Sequence, residues 1–320
     1  MVLRQFAKVL SVAAVTGLLL LSTSKPVEAR ALPGELAEKD RAIILQPASP
    51  WQLEMGKDRC RLSRWFDSPD GPGMVVLEQI APGSTFDLTV AGPDFASSHK
   101  GSWFYGGMRS DREMATIDPL EYDVPGYGDV VTLADVSIED DRRSRNGERA
   151  LVAAAIDPEA ANLAERIVLQ RSTRIVSLET GSMKEPFEAL NVCSNDLLPI
   201  WGLDIDVHRA FRPARMPGER AYFKRLHHEL ASKPGNEGHK ALLRVRAMVA
   251  ADGSVSDCLH EYALSSGGEE PDVCADIRAM TFEPATDADS GAIPSFYAIS
   301  LILSEHDPWT ADAHGGRWGD

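Results

Sequence analysis

The sequence predicts an α+β protein: a mostly-β N-terminal domain, sandwich- or barrel-like, followed by a small strand–strand–helix–strand domain. Three observations predict it. Between residues 51 and 205, short apolar runs recur between dense Pro, Gly and Asn punctuation, a spacing that suits sandwiches and barrels. Between residues 239 and 304 the apolar period passes from two, through helical spacing, back to two, as expected for strands flanking one helix. Residues 206–238 separate these regions with a basic stretch broken by Arg212-Pro213, Met216-Pro217-Gly218 and Pro234-Gly235.

The elements follow in order. Apolar runs at 60–66, 74–80, 85–90, 103–106, 130–136 and 175–178 predict six strands. Pro69-Asp70-Gly71-Pro72-Gly73, Pro82-Gly83, Gly92-Pro93 and Asn146-Gly147 supply turns. Residues 158–163 predict a short helical turn. A longer helix begins at Ser182, whose hydroxyl can cap while Glu185 reaches back, and it turns Leu190, Cys193 and Leu197 to a core. Tyr222, Phe223, Leu226 and Leu230 form an apolar stripe on a helix over 219–232, within the basic linker.

In residues 241–249, Leu243, Val245, Ala247 and Val249 share one face of a half-buried strand, and Arg244 and Arg246 the other. Asp252-Gly253 offers a turn whose positive φ suits glycine, and a second strand returns over 255–264. Ser265-Ser266-Gly267-Gly268 breaks it. Pro271 stands at a helix start, Val273, Cys274, Ile277 and Met280 recur at helical spacing, and Tyr297, Ile299, Leu301 and Leu303 line a last strand.

This final fifth resembles the C-terminal domain of the TonB family, the periplasmic end of the energy transducers of Gram-negative bacteria. The matching residues are Asp252-Gly253-Ser254-Val255, Ser265-Ser266-Gly267 and Phe282-Glu283-Pro284-Ala285, completed by the last strand. The resemblance implies capture of an extended peptide along an exposed strand edge, with main-chain bonds for affinity and alternating side chains for selectivity. The corresponding site residues are Phe296, Tyr297, Ile299, Leu301 and Leu303. The implied partner is a protein or extended peptide, such as an outer-membrane transporter. Pairing of two copies through the same strand is the competing use of that edge. A force transducer also needs an uncleaved membrane helix and a long Pro-rich spacer; this chain carries a folded domain where the spacer belongs. The expectation is therefore an exported, non-enzymatic binding or scaffold protein. The alternatives are a TonB-type transducer or accessory anchored by an uncleaved N-terminus, and a hydrolase with a site in 51–205.

Residues 1–29 read as an export signal: Arg4 and Lys8 lead an apolar run over 9–21, and Val27-Glu28-Ala29 forms a cleavage site. Cleavage predicts a periplasmic or secreted protein, with residues 30–50 as its N-terminal segment; retention predicts an inner-membrane anchor. The whole chain carries a net charge of −15. Loss of the signal's +2 leaves −17, which excludes nucleic-acid binding by counterion release. Residues 207–240 hold eight Lys/Arg against three Glu, a solvated connector or a contact for cell-wall polymer or lipid. From 241 onward, fourteen acids face four Arg, ending in an acidic tail over 305–320. Four cysteines in an oxidising compartment suggest two disulfides among three connectivities. Cys258 and Cys274 fall on neighbouring elements, which leaves Cys60 with Cys193.

Catalytic and metal motifs are incomplete. His228-Glu229-Leu230-Ala231 begins a zinc-protease helix, but Ser232 stands at the second ligand. Asp289-Ser290-Gly291 is one triplet where aspartic proteolysis needs two. His306 and His314 sit in the acidic tail, and Gln46-Pro47-Ala48 lies far from the TonB-like region. No catalytic residue, metal site or cofactor is expected.

Overall fold

A computed structural model describes residues 42–96, 101–109, 115–138, 154–232, 240–263 and 271–304. The first layer contains strands β1 (Ala42–Pro47), β2 (Gln52–Met55), β3 (Cys60–Asp67), β4 (Gly73–Gln79), β5 (Thr85–Ala91), β6 (Trp103–Tyr105), β7 (Ala115–Ile117), β8 (Leu120–Val124), β9 (Gly128–Ser137), β10 (Arg166–Arg171) and β11 (Arg174–Glu179). Helices α1 (Pro158–Asn162), α2 (Lys184–Asn195) and α3 (Leu197–Ile200) accompany them. Then come α4 (Glu219–Ser232), β12 (Ala241–Val249), β13 (Val255–Ala263), α5 (Val273–Arg278), the short β14 (Ala285–Thr286) and β15 (Ala292–Ile293), and β16 (Ser295–Leu303).

The first eleven strands form one sheet, ordered β7-β6-β10-β11-β1-β3-β4-β5-β9-β8, with β2 paired to β3. It curls into a half-barrel, and its two terminal strands, β7 and β8, are separated by only Asp118 and Pro119. Alternation builds the core. Leu62, Phe66, Val75, Leu77, Phe86, Leu88 and Val90 are buried on one face, together with Phe187 and Leu190 of α2. Phe86 and Phe187 pack with ring centroids 5.2 Å apart. The Cys60–Cys193 disulfide ties α2 to β3.

The second layer is the antiparallel sheet β13-β12-β16. Leu243, Val245 and Ala247 share a core with Tyr222, Phe223 and Leu226 of α4 and Val273 and Ile277 of α5, and Cys258–Cys274 joins β13 to α5. Gly253 makes the hairpin turn at φ 85°, where an added Cβ would stand 2.2 Å from the Phe282 carbonyl oxygen. On β12 and β16 the second face of this sheet packs against the first layer. Leu242 packs with Leu120, Ala134, Tyr122 and Ile302, so the two layers stack as packed sheets do.

Several expectations need correction. The first sheet begins at Ala42 rather than at residue 51, because β1 pairs with β11 and β3. Within the expected basic linker, residues 206–232 are described: α4 shares the C-terminal core, and isolated bridges join Arg212 to Thr286 and Arg215 to Glu283. Arg244 and Arg246 are 8% and 6% exposed, so β12 is buried on both faces. At α2, Met183 occupies the N-cap, and the Ser182 hydroxyl accepts from the Lys184 amide at 3.4 Å. The export signal, Asn146-Gly147, Pro234-Gly235, Ser265-Ser266-Gly267, and the tail with His306 and His314 lie outside the described residues. No helix among the described residues is long and apolar enough to cross a membrane. Both disulfides fit an oxidising, exported compartment.

Candidate functional site

The C-terminal sheet is held in place by charge. On β12, Arg244 and Arg246 point at the first sheet, where β4 and β5 present Glu78 and Asp87, 5% and 3% exposed. Arg244 Nε donates to Asp87 Oδ2 at 2.7 Å, and its Nη2 reaches Glu78 Oε1 at 2.9 Å. Asp87 also accepts from the Ser300 hydroxyl at 2.8 Å and the Asp135 amide at 3.2 Å. Arg61 donates to Glu78 from the side at 2.8 Å, and Arg59 bridges Glu78 to Glu261 on β13. Three guanidinium groups thus meet three carboxylates between the layers. Burial pushes the Asp87 carboxyl upward in pKa, against Arg244, Ser300 and Asp135. Burial also opposes the Arg244 charge, but Asp87, Glu78 and Glu261 outweigh it and raise its pKa. Burying such pairs offsets much of their attraction by desolvation, whereas removing one partner strands the other charge.

Beside the network, Arg246 pairs with Asp58 at 2.8 Å and stacks 4.1 Å above the Trp201 ring. It lines a cleft of about 440 Å³ at the hairpin end of the seam, with Lys57, Met248, Asp257 and Ser295. His208 Nδ1 donates to the Asp204 carbonyl at 2.7 Å, so its Nε2 accepts from the Ser295 hydroxyl at 2.9 Å. That is the arrangement of a nucleophile and its base. Here, however, Ser295 and His208 are 1% and 2% exposed, and Phe211 and Phe296 pack around the imidazole. The pair clamps the start of β16. Burial holds the His208 pKa below its ordinary value, against Asp204.

The side edges of the C-terminal sheet carry two marks that set their phase. Arg278 donates to the Cys258 carbonyl at 3.0 Å, and the Ser304 amide donates to His227 Nδ1 at 3.1 Å. Successive main-chain groups alternate between the two sides of a strand. With the observed register, both marks give the same phase: Leu259 and Glu261 turn inward on β13 and His260 outward. On β16, Ile299 and Leu301 turn to β12, and Ala298, Ser300 and Ile302 turn away. These outward groups have no main-chain partner among the described residues.

Comparison with protein-family models, with curated proteins and with solved structures finds no match.

The expected site residues are therefore placed as follows. Phe296, Tyr297, Leu301 and Leu303 are at most 8% exposed and belong to the C-terminal core, and Ile299 packs against it. Their side chains are committed inward; what β16 offers laterally is main chain. The edge of β13 is more open, with Leu259 at 40% exposure. Glu78, Asp87, Arg278 and His227 were missed as site residues. The available signal was a carboxylate inside each of two apolar runs, opposite a strand with paired arginines. No group of His, Cys, Asp and Glu able to hold a metal occurs among the described residues.

Proposed function

We propose that this is an exported, non-enzymatic binding or scaffold protein whose C-terminal sheet, TonB-like in its order of elements, takes up an extended peptide or a partner's strand in the periplasm. One observation carries the reading: the outward main chain at Ala298, Ser300, Ile302 and His260 has no strand beside it among the described residues. Such an edge binds another backbone by continuing the ladder. The Arg244 network and the Cys258–Cys274 bridge support the reading, because a strand edge selects partners best when the sheet behind it is rigid. Arg278 and His227 cap single groups at opposite margins, which limits indiscriminate pairing. An outer-membrane transporter or another periplasmic protein is the partner class this implies.

The test is photo-crosslinking of the full chain in exporting cells, with benzoylphenylalanine at Leu259 or Ile302 and, as a control, at Leu163, which is 54% exposed in the first layer. A polypeptide adduct is expected from the first two positions. An adduct of twice the chain mass assigns the edge to a second copy. No adduct, or equal adducts from Leu163, overturns the proposal.

A further inference from the structure

We infer a second, independent polypeptide-binding surface on the first layer: the open edge of β2, floored by α2, fits an extended segment that alternates apolar with basic residues.

β2 is peripheral to the main strand order, since among the described residues its one strand partner is β3. All four of its residues, Gln52 to Met55, are exposed. Leu53 and Met55 pair with Leu62 and Cys60, so they point to the same side as those core residues, yet remain 45% and 48% exposed. The floor beside them is α2, tied to β3 by Cys60–Cys193. Val192, next to that bridge in sequence, is 63% exposed. Ile200, which lines the seam cleft together with Lys57, is 55% exposed. Among the described residues, four of the nine exposed large apolar side chains thus lie on β2, on α2 beside its bridge to β3, or at the cleft that Lys57 lines. Exposed apolar residues are ordinary when scattered and informative when gathered.

The charge around Val192 decides the occupant. Glu185, Glu188, Val192 and Asp196 are spaced i, i+3, i+7 and i+11, which places them on one stripe of the helix. All four are exposed, and the three carboxylates make no ion pair among the described residues. Glu54 on β2 is paired only loosely, with Arg61 at 3.6 Å. A strand added outside β2 would turn every second side chain toward this stripe. Apolar side chains meet Leu53, Met55 and Val192, and cationic ones meet Glu185, Glu188 and Asp196. A second copy fits poorly, because β2-to-β2 pairing would bring two acidic stripes and two Glu54 residues together in a chain already at −15.

The experiment measures fluorescence anisotropy with the full chain and four labelled ten-residue probes. These are alternating Lys-Val, alternating Glu-Val, Lys and Val in two blocks, and alternating Lys-Val with every second amide N-methylated. The alternating Lys-Val probe is expected to bind at least about tenfold tighter than each of the others, as a difference of about 1.4 kcal/mol requires. Joint Glu188→Lys and Asp196→Lys substitution should cut that affinity about tenfold without moving the urea midpoint, since both sites are exposed. Met55→Lys should weaken binding likewise. Equal binding of the blocked or N-methylated probe would reduce the effect to general attraction and overturn the inference. So would a light-scattering dimer that Leu53→Pro dissociates while its urea midpoint is unchanged, because the edge then belongs to a second copy.

Discussion

Replacing Arg244 by Met removes the centre of the contact between the layers. Glu78 keeps Arg59 and Arg61. Among the described residues, Asp87 then keeps only the Ser300 hydroxyl and the Asp135 amide at 3% exposure. Removing one partner of a buried pair costs about 3–5 kcal/mol, equivalent to a fall in Tm on the order of 10 °C for a chain of this size. The loss should depend on pH in a specified direction. The folded Asp87 carboxyl already lies above its ordinary pKa through burial, and losing Arg244 raises it further. The folded variant therefore binds a proton more readily than the unfolded chain, whose Asp pKa is about 3.9. The variant's deficit should shrink as pH falls toward that value, by up to about 1.4 kcal/mol per pH unit. Paired Asp87→Leu and Arg244→Met should recover most of the stability, because neither charge is then stranded. Urea unfolding at pH 7.5, 6 and 5 reads all three effects. A single variant within about 1 kcal/mol of the parent at pH 7.5, or a double variant no better than the single, refutes the argument that this network joins the layers.

Further outcomes are expected from other parts of the structure. His208 is held neutral and its pKa is lowered by burial, so stability should fall as pH drops below about 6.5, where the unfolded imidazole takes up a proton. His208→Gln should flatten that slope in urea titrations, and an unchanged slope would contradict the clamp at Ser295. The bridges span 133 and 16 positions. Loop entropy makes removal of Cys60–Cys193 cost about 5 kcal/mol and of Cys258–Cys274 about 3 kcal/mol; calorimetry showing the reverse order would require another explanation. Gly253→Ala should destabilise the hairpin by about 2 kcal/mol or more, since it combines positive φ with a carbonyl clash, and an unaffected melting curve would refute that. Sequencing of the exported protein should give an N-terminus at Arg30 or Leu32, whereas an intact start would place an anchor before the first layer.

Much of the C-terminal fold was legible because its signals were strongly periodic. β12 and α4 occupy the expected spans, and Asp252-Gly253 makes the expected turn. Both disulfides follow from the elements on which the cysteines fall. In the first layer, β7 and β2 are three and four residues long, too short for alternation to announce them, whereas β6 falls within the expected 103–106 run. β1 ends at Pro47, and its pairing with β11 and β3 joins segments far apart in sequence, which no local pattern announces. The larger error concerned Arg244 and Arg246. Alternation tells which side chains share a face; it does not tell whether the polar face meets water or a second sheet carrying Glu78 and Asp87. The same limit applies to β16, where alternation does not tell which face is already covered. Tyr297 and Leu301 alternate like recognition residues, but both are buried in the C-terminal core. Which amides point outward depends on pairing register, fixed only by β12 and by the bonds from Arg278 and Ser304.

Amide hydrogen exchange on the full chain, followed residue by residue by NMR, tests the open sheet edges most directly. The amides of Leu259, Glu261, Ile299 and Leu301 should exchange slowly. Those of His260, Ala298, Ser300 and Ile302 should exchange at least about a hundredfold faster, since local opening ranges from about zero to the global stability. Uniform protection along both strands would mean that another part of the chain seals these edges, and the binding role proposed for the C-terminal sheet would have no place to act.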